Sequence, residues 1–220
     1  MQSRMISPAF LLASFLLPGE AEAKLIFITG PSGCGKTRYC LELAHRAREN
    51  GIPLAGVVSP PIYESGKKKL LSTYGSRNFV DRADYRTNDD QITQVKWGID
   101  LEDLASGERR RLAVRREAPQ EGLATADWQF DEAVLVWGNE RLASCRSGGP
   151  LLILDELGPL EFERGLGFQA GLQLLDEGRF HLAVAVVRPA LLPLARQRWP
   201  WGWAGEATLG GSMVIPEEAG

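Results

Sequence analysis

Residues Leu25–Thr37 read LIFITGPSGCGKT. Leu25 to Thr29 is a short continuous apolar run, the pattern of a strand buried on both faces. It leads into Gly30, Gly33 and Gly35, then Lys36 and Thr37. Glycine has no Cβ, so this backbone can curl with its N–H groups pointing inward. From Lys36 the pattern turns helical. Cys40, Leu43, Ala44 and Ala47 share one face, and Asn50-Gly51 followed by Pro53 stops the run. Strand, glycine loop and helix at the spacing G-x-x-x-x-G-K-[ST] make a phosphate-binding loop. Gly30, Pro31, Ser32, Gly33, Cys34, Gly35, Lys36 and Thr37 are therefore expected to wrap a phosphate, helped by the partial positive charge of the helix N-terminus. The motif places Lys36 at the β- and γ-phosphates and the Thr37 hydroxyl on a magnesium ion. Cys34 stands at a variable position of the motif and reads as a small filler residue.

The partner of this loop is LLILDELGPLE, Leu151 to Glu161. Four aliphatic residues followed by two acids read as a buried strand whose end carries Asp155 and Glu156. Beside a phosphate loop, Asp155 is expected in the magnesium shell and Glu156 as the carboxylate that orients and polarises an attacking water. Glu161 is either a second candidate base or a cap for the helix that follows. Arg188, at the end of HLAVAVVR, falls at the carboxyl end of another strand, where ligands bind in open α/β sheets. Its alternative is a plain surface arginine. Arg109, Arg110 and Arg111 offer positive charge for a γ-phosphate, or a solvated basic turn. Asn139 and Glu140 in WGNE are candidates to line the site, and Trp137 reads as core.

Outward from these motifs, strands and helices alternate. LAGVVSP is a strand stopped by Pro60-Pro61, and GIDLEDLASGERRRLAV reads as two short strands about Ser106-Gly107. Asp131 to Cys145 is a helix capped by Asp131, a further helix contains Phe168, Leu172 and Leu175, and HLAVAVV is another buried strand. ALLPLARQ suggests a Pro-interrupted helix, and a Trp-rich strand starts near Trp201. The alternation predicts an α/β domain with a mostly parallel sheet flanked by helices. Residues 1–220 read as one domain. Residues 67–97 form a polar insertion or hairpin, and 1–23 an N-terminal extension. Within that extension, Ala9 to Leu17 is apolar and Ala21-Glu22-Ala23 has the outline of a cleavage site. The alternative, which Pro8, Glu20 and Glu22 favour, is a short helix packed on the domain.

The pieces TGPSGCGKTRYC, GVVSPP, GIDLEDLASGERRRLA, FDEAVLVWGNERL and DELGPLEFERGLGF together resemble the P-loop nucleoside-triphosphatase family that includes the cancer-related nucleoside triphosphatase, in its bacterial form. They occur in family order and cover most of Leu25 to Val187. The resemblance implies a compact RecA-like domain that hydrolyses the terminal phosphate of nucleoside triphosphates with magnesium and modest base selectivity. It carries site roles onto Gly30, Gly33, Gly35, Lys36 and Thr37, and onto Asp155, Glu156 and Glu161. The stretch between YESGKKK and WGIDLED is longer than the family's short hairpin, and the N-terminal extension is additional. Both leave room for a protein partner.

Composition narrows the classes. The 220 residues are 44% apolar and 24% charged, an ordinary globular mix, with net charge −3. That balance argues against general nucleic-acid binding. No run is long enough to span a membrane as a helix. Three cysteines and two histidines give neither a disulfide framework nor a metal cluster, and point to a reducing cytosol. No N-K-x-D tetrad marks guanine selectivity. A nucleotide or nucleoside kinase, and a slow nucleotide-dependent switch acting on a protein partner, stay open beside hydrolysis.

Overall fold

The computed structural model describes residues 3–15, 23–65, 85–88, 91–116, 123–124, 127–145, 149–207 and 212–216. Its strands, in chain order, are β1 (Ser3–Ile6), β2 (Lys24–Thr29), β3 (Leu54–Val58), β4 (Pro61–Ser65), β5 (Tyr85–Asn88), β6 (Gln91–Asp103), β7 (Arg109–Arg115), β8 (Trp128–Phe130), β9 (Gly149–Leu157), β10 (Phe180–Val187), β11 (Trp203–Ala207) and β12 (Met213–Pro216). The helices are α1 (Pro8–Phe15), α2 (Lys36–Glu49), α3 (Glu132–Ser144), α4 (Pro159–Phe162), α5 (Gln169–Glu177) and α6 (Leu192–Arg198), the last preceded by a 3-10 turn at Pro189–Leu191.

The strands form one sheet in the order β1-β12-β11-β2-β10-β9-β3-β6-β7-β8, with β4 and β5 also on β6. The five strands β11, β2, β10, β9 and β3 run parallel. Every other described pairing is antiparallel. The sheet is therefore mixed, a correction to the mostly parallel expectation. The cause is the connections. Parallel neighbours need a crossover of a dozen or more residues, which α2, α5 and α6 supply, whereas the turn 104–108 between β6 and β7 is too short for anything but a hairpin.

Side chains alternate across the central strands, and each face carries its own core. Leu25, Phe27, Leu101, Leu154 and Ala185 pack against Trp137 and Leu142 of α3, Leu172 and Leu175 of α5, and Ala195 and Trp199 at α6. On the other face Ile26, Ile28, Ile153, Val184 and Val186 meet Cys40, Leu43, Ala44 and Ala47, the stripe expected of α2, together with Tyr39. Leu11 and Leu12 of α1 join this second core, and β1 pairs with β12. Residues 3–15 thus pack on the domain, as the short-helix reading expects.

One close approach fixes the middle of the sheet. Gly56 has φ +109°, and a Cβ there would lie 1.9 Å from the Ile153 carbonyl oxygen. Only glycine lets β3 lie this close to β9. The polar insertion shares this sheet: β6 runs without interruption through Trp97 to Asp103, and residues 66–84 lie outside the described residues.

Candidate phosphate-binding and catalytic site

β2 sits inside the sheet with β10 and β11 beside it, so its carboxyl end is fixed on both sides. The chain leaves it through Gly30 (φ +132°), Gly33 (φ +73°) and Gly35 (φ +104°) and enters α2. These backbone angles are costly for any residue with a Cβ. At Gly30 a Cβ would also lie 2.8 Å from the Cys34 sulfur. The Cys34 sulfur thus lies against Gly30, with the Lys36 ammonium at 3.9 Å. The first turn of α2 has no side-chain cap and no acidic residue, so its N–H groups face outward for an anion. The Lys36 ammonium is pinned to the loop, donating to the carbonyls of Gly30 at 2.8 Å and Pro31 at 2.7 Å.

β9 is separated from β2 by β10 alone, and it carries Asp155 and Glu156 at its carboxyl end. Asp155 is only 2% exposed. Its carboxylate accepts a hydrogen bond from the Ser59 N–H at 3.2 Å, and the Thr37 hydroxyl lies near enough to favour its charged form. Burial, reinforced by the neighbouring Glu156 charge, pushes its pKa up to about 6, while Ser59, Thr37 and Lys36 act the other way. Glu156 is partly exposed and pairs with Arg188, whose Nε donates to its Oε1 at 2.6 Å. The ends of β2, β9 and β10 thus bring Lys36, Thr37, Asp155, Glu156 and Arg188 to one edge of the sheet, and Arg188 is in direct contact with Glu156.

Ser59 escaped the sequence reading. It follows β3, the other neighbour of β9, and its hydroxyl donates to the Asp155 carbonyl at 2.6 Å. Both its N–H and its hydroxyl hold Asp155 in place. The signal lay in GVVSPP, where a small polar residue stands between the strand end and two prolines.

Glu161 lies near Glu156 and feels its charge, while Asn139 and Glu140 stand elsewhere. Glu161 is buried, and both carboxylate oxygens are taken by backbone N–H groups, Gly158 at 2.7 Å and Phe168 at 2.8 Å. It caps the N-cap N–H of α4 and braces the loop to α5. Burial still raises its pKa despite these bonds. Of its two readings, cap and second base, the structure supports the cap. Asn139 does similar work, donating to Gly167 and Leu135 and accepting from Ala170 at the start of α5. Glu140 is exposed, and Trp137 is core as expected.

The arginine run is likewise not brought to the cluster. Arg109 pairs with Glu102, Arg110 with Glu108 and Arg111 with Asp100, three strands from β9. Arg110 also lies over the Trp137 ring at 4.4 Å, and Arg111 over Trp97 at 4.5 Å. Arg109 and Arg111 thus meet cross-strand acids of the β6–β7 hairpin, and Arg110 meets Glu108 beside it and stacks on Trp137 of α3.

No protein-family profile matches the chain. The nucleoside-triphosphatase THEP1 of Caldivirga maquilingensis is 24% identical over 161 residues, covering 73% of this chain and 74% of that one. The solution structure of a human cancer-related nucleoside triphosphatase superposes with a TM-score of 0.52 at 20% identity, covering 89% of this chain and 90% of that one. The crystal structure of THEP1 from the hyperthermophile Aquifex aeolicus gives 0.46 at 14% identity and adds no argument. The THEP1 match bears out the resemblance read from the motifs, and the human structure supports an α/β fold with a mixed sheet flanked by helices.

Proposed function

We propose that this chain is a P-loop nucleoside triphosphatase of RecA-like build that hydrolyses nucleoside 5'-triphosphates to diphosphate and phosphate, with magnesium and broad base tolerance. One observation carries the reading. A phosphate loop with an uncapped helix N-terminus leaves β2 one strand away from the end of β9, where a buried aspartate is followed directly by an accessible glutamate. The name of the curated relative points the same way.

The donors suit magnesium. The Thr37 hydroxyl and the Asp155 carboxylate are hard oxygen ligands, and a buried carboxylate with a raised pKa is one that a divalent cation would relieve. Thr37 would ligate it directly and Asp155 through water. When bound, the ion would neutralise charge on the phosphate oxygens.

The residues divide the remaining work. The loop N–H groups and Lys36 hold the β- and γ-phosphates and stabilise charge as it develops there. Glu156 holds a water in line with the γ-phosphorus and accepts its proton. The water oxygen bonds to phosphorus, the bond from phosphorus to the bridging oxygen breaks, and the electron pair leaves with the diphosphate. The accepted proton then passes to solvent or to the released phosphate. Ser59 sets the position of Asp155, and Arg188 pairs with Glu156 in the nucleotide-free protein. Three free cysteines suit work in a reducing cytosol, and among the described residues no helix is long and apolar enough to cross a membrane.

Turnover in ¹⁸O-water with the protein alone tests this. A nucleoside triphosphatase places the label in inorganic phosphate and none in the diphosphate, for several bases. A kinase releases no phosphate and, once an acceptor is added, moves the γ-phosphoryl group onto it without label, and a switch releases phosphate in one slow turnover. Either result would replace the proposal.

A further inference from the structure

The Arg188–Glu156 ion pair ties a strand end to the proposed base, and its placement suggests more than a surface contact. β10 lies between β2, which carries the phosphate loop, and β9, which carries Asp155 and Glu156. Arg188 is the first residue beyond β10, so its backbone leaves the sheet between the strand ends that carry the phosphate loop and the carboxylates. Its Nε is committed to Glu156 Oε1 at 2.6 Å. Among the described residues, its other guanidinium nitrogens are given no acceptor. Both partners are partly open to solvent, at 52% and 39% side-chain exposure. A pair this exposed is weak and easily exchanged, and a guanidinium fork matches a phosphate as well as it does a carboxylate.

From this geometry we propose that Arg188 is a triphosphate sensor that exchanges partners. Without nucleotide it neutralises Glu156. When a triphosphate fills the loop, its γ-phosphate draws the guanidinium away, and Glu156 is released to accept the proton of the attacking water. A diphosphate has no γ-phosphate and leaves the pair intact. The ligand does this only through its differential affinity for the two arrangements. The inference rests on the nucleotide reading above, but it assigns Arg188 a role that the phosphate loop alone does not need.

Binding without turnover tests it. A non-hydrolysable triphosphate analogue and the matching diphosphate are titrated calorimetrically with magnesium into the wild type, Arg188→Ala, Arg188→Lys, Glu156→Gln and the Arg188→Ala/Glu156→Gln double variant. Thermal melts confirm that each is folded. Arg188→Ala should reduce the preference for triphosphate over diphosphate about tenfold, the worth of one charge-assisted hydrogen bond. Arg188→Lys should restore part of it. Glu156→Gln frees the guanidinium and should tighten triphosphate binding about threefold, as expected for a weak exposed pair. That gain should vanish in the Arg188→Ala background. A merely structural arginine would change the melt and leave the preference alone. If both nucleotides bind and Arg188→Ala keeps the wild-type preference, the sensor is refuted while the nucleotide site stands. If neither nucleotide binds the wild type, the parent reading falls and the sensor with it.

Discussion

At the scale of single residues, Lys36 and Glu161 show how far side-chain chemistry can be read before the backbone is known. Lys36 was legible because its spacing from three glycines has one physical use, and its ammonium indeed lies on the loop carbonyls of Gly30 and Pro31. Lys36→Ala removes that cation. We expect phosphate release to fall by at least about 10²-fold, with weaker triphosphate binding, in a protein whose circular dichroism is unchanged. Undiminished release would remove the loop from the mechanism. Glu161 was ambiguous, since a carboxylate five positions after Glu156 can be a base or a cap. Only the path of the chain through Gly158 and Phe168 shows both oxygens committed to N–H groups. Glu161→Gln puts an amide NH₂ against one of those N–H groups. It should cost about 1–3 kcal/mol in urea denaturation without the rate loss of a missing base. A catalytic collapse at unchanged stability would return Glu161 to the chemistry.

Among the elements, the helices and central strands were readable and the sheet's outer strands were not. The α2 stripe and the Asp131 cap rest on local periodicity and local hydrogen bonds, and Asp131 accepts from Ala133 at 2.9 Å and Val134 at 3.2 Å. β1, β8 and β12 are three or four residues long and owe their form to partners distant in sequence, so no local pattern announces them. The arginine run misled for a related reason. Arg109, Arg110 and Arg111 look free in sequence, yet two of them meet acids on β6 only when the hairpin closes, and Arg110 meets Glu108 beside it. The β6–β7 turn itself hangs on Asp103, which accepts from the Ser106 hydroxyl at 2.6 Å and from Arg141 of α3 at 2.9 Å. Burial pushes its pKa up, but these bonds and the Ala105 N–H outweigh burial and leave it below the ordinary 3.8. A depressed carboxyl stabilises the fold above its unfolded pKa, and the contribution is lost as pH falls through the folded value. Asp103→Asn should therefore cost about 1–2 kcal/mol at pH 7, discounted because the Arg141 side chain is 37% exposed. The gap to wild type should close below about pH 4 in denaturation series. A gap that persists unchanged to pH 2 would contradict the assignment.

Across the whole molecule, one sheet with two cores ties the N-terminal segment, the phosphate loop and the acid pair into a single body. Leu11 is fully buried in the core that also holds Leu43 and Ile28. Leu11→Ala should cost about 2–5 kcal/mol of stability, with phosphate release per folded molecule unchanged; equal stability would mean that α1 is not seated there. The site motifs were legible because they fall at strand ends, where backbone and side chain are specified together. It missed the mixed sheet because ladder direction depends on how connections return. The central claim is that Glu156, one residue beyond a buried metal-site aspartate, is the base of a nucleoside triphosphatase. Single-turnover phosphate release by Glu156→Gln, measured beside its affinity for the same triphosphate, tests this most directly. The account predicts a rate lower by about 10²–10⁴-fold with binding equal to or slightly tighter than wild type. Wild-type turnover in that variant would contradict it.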